Sequence, residues 1–291
     1  MIHNPFSRVR VRYLFAKGLL VSLLSGICLG YVQGINGLTL NNQVVVLVLY
    51  ILIFGLLCLW IFADFNRLGI NLRYVVGILP SNYKWLPTVG LVILVIVFSL
   101  SAYLVSFSLL SWFAPSLIEE LLRQVASNAS AHSSAPLLDN LLSAIAIIVV
   151  APIAEEFIFR GVILQRWATK WGIRTALIVS SVLFGILHPN FLGLSMFGFV
   201  MGVLYIKTRT LIVPIACHGL NNLLALTAGF FSNQPQTTSS LDNLEQLRSG
   251  WWVGVLLMLI SLPGLIRFLS RNWPRQNAPT PYLINASQAN T

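Results

Sequence analysis

Eight apolar stretches run along the chain, at about 13–33, 43–63, 87–113, 141–164, 174–188, 191–206, 210–230 and 250–268, separated by polar connections. Most reach the roughly 20 residues that a helix needs to cross a bilayer, and the fifth and sixth are shorter. The pattern predicts an all-α, polytopic transmembrane helical bundle of about eight membrane segments. The longer connections, 64–86, 114–140 and 231–249, read as loops, the last two polar and on the outer side. The tail from Asn272 is rich in Asn, Pro, Gln and Ala and reads as disordered. Four regions follow: N-terminal membrane helices with an outer loop over 1–135, a core over 136–232, an outer loop and last membrane helix over 233–271, and the tail 272–291. No internal repeat is visible.

Composition strengthens this reading. Of the 291 residues, 57% are hydrophobic and 9% are charged, too few charges to cover a water-facing surface. The net charge of +10 gains meaning on the topology. With the N-terminus inside and the segments alternating, 15 basic residues fall inside and 2, Arg123 and Arg248, fall outside. That bias sets both termini in the cytoplasm. No basic run with interleaved aromatics lies in a soluble stretch, so no nucleic-acid partner is expected. Arg8, Arg10 and Arg12 precede the first segment and no convincing cleavage site follows, so it reads as a retained signal anchor in the cell (plasma) membrane. Cys28, Cys58 and Cys217 sit in apolar stretches without a CxxC and read as packing residues.

A few polar residues interrupt the apolar segments. Segment four carries Glu155, Glu156 and Arg160 on one helix. Charged groups at membrane depth are costly and face a bundle interior or a water-filled cavity. Glu156 and Arg160 are spaced i,i+4 and share a face, so they can pair. Glu155 points about 100° away and is free for another task. Pro152 removes one backbone hydrogen bond just before them, which can kink the helix and free a carbonyl. A salt-bridge cluster that only fixes helix register remains open. Segment five ends at His188, followed by Pro189, a helix stop. His218 and Asn222, spaced i,i+4 on segment seven, share a face, with Gly219 allowing close helix approach. Interhelical hydrogen bonding is the competing reading for His188, His218 and Asn222. His3 and His132 lie in tail and loop and carry little weight. Glu119, Glu120 and Arg123 read as an exposed amphipathic helix.

Carboxylates, two imidazoles and an amide are an inventory for activating water. Two imidazoles and an amide can hold a water, stabilise an oxyanion or ligate a metal. Neither HExxH nor a Gly-rich phosphate loop is present.

Three motifs in order, Glu155-Glu156-xxx-Arg160, Phe184-xxx-His188 and His218-xxx-Asn222, each within an apolar segment, resemble those of the CPBP family of intramembrane proteases. That family is similar to CAAX prenyl endopeptidases and bacteriocin-processing enzymes. The resemblance spans about 141–230. It implies glutamate-dependent endopeptidase activity on a membrane-associated protein or peptide in the lipid bilayer. Glu155 would be the general base. His188, His218 and Asn222 would hold water and oxyanion, Glu156 and Arg160 would orient the site, and Phe184 would pack. The family's label is metallopeptidase. His188, His218 and Glu155 could form a His₂Glu set for Zn2+ or another divalent metal. The metal-free use of the same residues is the preferred expectation. A non-enzymatic scaffold or chaperone for client helices and a proton-coupled transporter are the alternatives.

Overall fold

The computed structural model describes residues 4–36, 43–130, 136–232 and 240–289. His3 and His132 lie outside the described residues, as do parts of both outer loops. After a 3₁₀ turn, Pro5–Arg8, come α1 (Val11–Asn36), α2 (Gln43–Leu68), the short α3 (Leu72–Val76), α4 (Trp85–Phe113) and α5 (Pro115–Ser130). One nearly continuous run follows: α6 (Pro136–Ala144), a π-helical stretch Ile145–Val150, α7 (Ala151–Glu156), a second π stretch Phe157–Leu164, and α8 (Gln165–Ile186). The chain closes with α9 (Phe191–Thr208), α10 (Ile212–Ser232), α11 (Ser240–Ser249), α12 (Trp251–Asn272) and α13 (Pro281–Gln288). No strand occurs among the described residues.

Each apolar stretch of the sequence is helical, and the chain is a multi-pass integral membrane protein. Six runs among the described residues are long and apolar enough to cross a bilayer, and Ile212–Thr227 is a shorter apolar helix. The difference from eight has two parts, the shorter helix of segment seven and a joining of two segments. Segments four and five form one run of 50 residues, Leu137–Ile186, interrupted at Gly172. Gly172 has φ 79° and ψ 162°, a conformation that a residue without Cβ adopts cheaply. The chain reverses there. About 25 Å of helix leads from Glu155 to Gly172 and a similar length leads on to His188. Yet Glu155 and His188 meet at 4.0 Å. Large apolar side chains on α1, Leu19, Leu23 and Ile27 among them, lie exposed, as lipid contact requires.

The core forms where α8 packs on α9 and where α4 packs on α9 and α12. Small residues make those approaches possible. A Cβ on Gly198 would lie 3.0 Å from Ser181, and one on Gly254 would lie 2.9 Å from Val105. Ser101 Oγ donates to the Gly254 carbonyl at 2.8 Å, tying α4 to α12.

Polar connections hold more structure than their composition announces. The connection 114–140 contains α5, the helix expected around Glu119, Glu120 and Arg123, where Arg123 pairs with Glu120, but one face of it is not exposed: Ile118 is fully buried. Ile118 packs with Leu244 and Leu247 of α11, from the second expected loop. The tail is not disordered over its described residues. Pro281 starts α13, and Tyr282 packs edge-on against Phe6 at 5.2 Å and Tyr74 at 5.8 Å. Asn285 Nδ2 donates to the carbonyls of Tyr74 (2.9 Å) and Arg209 (2.8 Å). One aromatic and one amide, placed to fill an apolar gap and satisfy two backbone acceptors, outweigh the polar composition around them.

Candidate active site

Glu156 is fully buried and its Oε1 accepts two hydrogen bonds, from Arg160 Nη1 and from His218 Nδ1, both at 2.9 Å. Arg160, almost as buried, donates its other nitrogen, Nη2, to the Gly198 carbonyl on α9 at 3.0 Å. Its guanidinium also lies 4.9 Å from the Phe184 ring centroid. One ion pair thus joins α7, the second π stretch, α9 and α10. Removing two charges from water is costly unless their hydrogen-bonding capacity is met; here Arg160 finds a carbonyl and a ring face, while Glu156 Oε2 is buried without a partner.

His188 is fixed by the end of its own helix. Its backbone N–H turns to Gly185 O at 3.0 Å, so the Phe184 carbonyl lacks its ordinary helical donor. The ring's Nδ1 takes that carbonyl at 2.7 Å, and the imidazole stacks on Phe184 at 4.6 Å. Phe184 is therefore more than packing: it sets the histidine's hydrogen bond and its plane.

Both bonds place a proton on one nitrogen. A carbonyl oxygen and a carboxylate oxygen accept, so Nδ1 carries an N–H in each ring and Nε2 is the atom turned toward Glu155. The two Nε2 atoms face one carboxylate oxygen, Glu155 Oε2, at 4.0 Å from His188 and 3.9 Å from His218. Glu155 Oε2 is buried without a hydrogen-bond partner of its own. Its other oxygen, Oε1, accepts from Tyr50 Oη on α2 at 3.3 Å.

Asn222 sits one turn beyond His218 and its hydrogen bonds go elsewhere. Its Nδ2 donates to Ile147 O at 2.8 Å, and its Oδ1 accepts from Asn221 Nδ2 at 3.2 Å. The π stretch explains the first bond. Ala151 N–H reaches back five residues to Ala146 O. The next donor in that register would be Pro152, which has no N–H, so Ile147 O is left open and the asparagine fills it. Gly219 comes so near that a Cβ would lie 2.9 Å from Ile148 O.

Glu155, Glu156, Arg160, His188 and His218 therefore meet in one place, and Asn222 lies one turn along α10 from His218, bonded to Ile147 and Asn221. Sequence reasoning missed Tyr50, because a tyrosine in an apolar helix has no spacing that marks it as a partner of residue 155. It also missed Gly198, whose contribution is a backbone carbonyl.

The donor chemistry of two imidazole Nε2 atoms and a carboxylate suits zinc. The spacing is wider than the about 3.3 Å that tetrahedral bonds of about 2.0 Å would give. Among the described residues no three His, Cys, Asp or Glu gather closely enough to hold a metal ion.

Comparison with known proteins bears on the same stretch. Residues 137–224 match the family model of the type II CAAX prenyl endopeptidase Rce1-like proteins. Over 77 residues the chain is 38% identical to YdiL of Bacillus subtilis (strain 168), whose name marks it as a candidate membrane peptidase. That match covers 25% of this chain and 32% of the relative, so the chain spans about a third of the curated relative it matches. No solved structure matches. The stretch that carries Glu155, Glu156, Arg160, His188, His218 and Asn222 is thus similar to the Rce1-like family model, over about a third of the chain.

Proposed function

We propose that the protein is a glutamate-dependent intramembrane endopeptidase acting on a membrane-associated protein or peptide. The observation that carries this reading is the unpartnered Oε2 of Glu155, facing the Nε2 atoms of two imidazoles inside an apolar bundle. Glu155 Oε2 and the imidazole nitrogens converge on one small space, where a water molecule can give one proton to the carboxylate and the other to a neutral imidazole. Held there, the water presents an oxygen lone pair to a substrate carbonyl.

The step balances without a further reagent. Water oxygen bonds to the peptide carbonyl carbon while one water proton passes to Glu155, the general base. Collapse of the tetrahedral adduct breaks the C–N bond, and the proton on Glu155 goes to the leaving amine. Glu156 and Arg160 hold His218, and through it the water. The amide of Asn222 has two N–H groups and spends one on Ile147 O; the second is available to an oxyanion. Polarisation by fixed donors in a water-poor site is worth more than in solution. No step here runs through a metal. The charge distribution supports cytoplasmic termini and a plasma-membrane location.

The test is a comparison of membrane-protein termini in cells expressing wild type or Glu155→Gln at equal level. New termini that vanish with the variant support the reading and name the substrate class. Identical termini, with the same proteins co-purifying, would move the assignment to a scaffold that binds client helices.

A further inference from the structure

A cavity of about 660 Å³ opens between the start of α1 and the end of α2. Both are the same end of the bundle, where membrane helices meet the headgroup layer. The cavity's rim is basic: Arg8, Arg10, Lys17 and Arg67 line it, against the single carboxylate of Asp64. Lys17 pairs with Asp64 and stands 4.7 Å from the Trp60 ring. Arg67 reaches Asp64 only at 3.9 Å and is largely exposed, and Arg10 bonds a neutral partner, Tyr13 Oη, at 3.0 Å. One carboxylate thus offsets one of four cations, and the cavity keeps an excess of positive charge.

The floor of the same cavity is apolar. Leu20 and Ile61 line it, and it reaches Val162 on the helix that carries Glu156 and Arg160. The wedge has a local origin. The 3₁₀ turn Pro5–Arg8 packs on α8 while α1 packs on α2, so the chain parts between them. A basic rim over an apolar cleft, flanked by Trp60 and Tyr13 at headgroup level, matches an amphiphile with a negative head. We propose that this cavity binds an anionic phospholipid, its phosphodiester among Arg8, Arg10 and Arg67 and an acyl chain along Leu20. The lipid would fill the wedge between α1 and the core helix. This inference is independent of the proposed peptidase activity.

Native mass spectrometry of the full chain, released from nanodiscs of phosphatidylcholine with phosphatidylglycerol, tests it. The expected result is one retained phosphatidylglycerol in preference to phosphatidylcholine. Retention should fall about fivefold for each of Arg8→Gln, Arg10→Gln and Arg67→Gln. Leu20→Trp, which fills the cleft without changing charge, should also weaken retention. A charge-matched control, Lys170→Gln with Arg267→Gln and Arg271→Gln, removes three cations outside the cavity and should leave it unchanged. Equal retention of both lipids would overturn the proposal. So would equal loss in the control, or full displacement by inorganic phosphate with no effect of Leu20→Trp, which would mark a site for free anions.

Discussion

His218 Nδ1 donates to Glu156 Oε1 at 2.9 Å, and that bond turns Nε2 of the ring toward Glu155. Arg160 shares the same oxygen. Glu156→Gln would leave the Arg160 guanidinium buried without its counter-charge, at a cost of about 3–5 kcal/mol. The double variant Glu156→Gln/Arg160→Met removes both charges and should recover most of that stability. It should not recover cleavage, because the charged acceptor that orients the His218 ring is still missing. Thermal unfolding in detergent, read beside a cleavage assay, separates the two effects. Full activity in the double variant would refute a positioning role for Glu156.

Tyr50→Phe deletes only the hydroxyl that donates to Glu155 Oε1. A hydrogen bond to a charged group contributes roughly 1.5–3 kcal/mol, so kcat should fall by about ten- to a hundredfold. The ring's contact with Phe54 at 4.6 Å persists, so any loss of stability should stay within the value of that one bond. Steady-state kinetics with a cleaved peptide would show the loss in kcat rather than KM. An unchanged kcat would make Tyr50 a packing residue.

Much of this arrangement can be read from residue order. Periodicity separates Glu155 from Glu156, and the i,i+4 spacing of Glu156 and Arg160 anticipates their ion pair. The reversal at Gly172 is harder to see, since a glycine in a helical run announces nothing about φ. The histidine tautomers depend on a helix-end carbonyl and on a carboxylate 62 residues away, contacts that only folding creates. The disordered reading of the tail fails at Tyr282 and Asn285. Average polarity does not register two side chains whose partners, Phe6, Tyr74 and Arg209, lie far off in sequence.

Chelation tests the metal-free reading directly. Activity of the purified protein should survive prolonged dialysis against a strong chelator if, as proposed, Glu155, His188 and His218 hold the water without a metal. Loss of cleavage that zinc restores, together with stoichiometric metal in the active preparation, would assign those three residues as ligands instead.

Asn222 ties α10 to the carbonyl that Pro152 leaves open. Asn222→Ala strands Ile147 O and should cost about 1–3 kcal/mol. Asn222→Asp should cost more, since it sets a carboxylate against a carbonyl oxygen. Denaturation of both variants in one detergent checks the order. If Asn222→Ala unfolds like wild type and only cleavage falls, the amide acts on the reacting group and not on the π stretch.

Removing the chain from Pro281 onward should destabilise the protein by roughly 2–4 kcal/mol, through the buried Tyr282 ring and the two bonds of Asn285. The same contact gives a pH signature. Burial raises the Tyr282 pKa, outweighing the Asn71 N–H that its hydroxyl accepts, and Tyr74 beside it adds to the rise. The docked helix therefore holds the phenol proton more tightly than the free chain does. Docking is complete below the ordinary tyrosine range and weakens as pH climbs past about 10, where the undocked phenol ionises first. Melting curves on either side of that pH should converge for Tyr282→Phe and diverge for wild type. A truncated chain that melts with wild type would mean that α13 adds nothing to the fold.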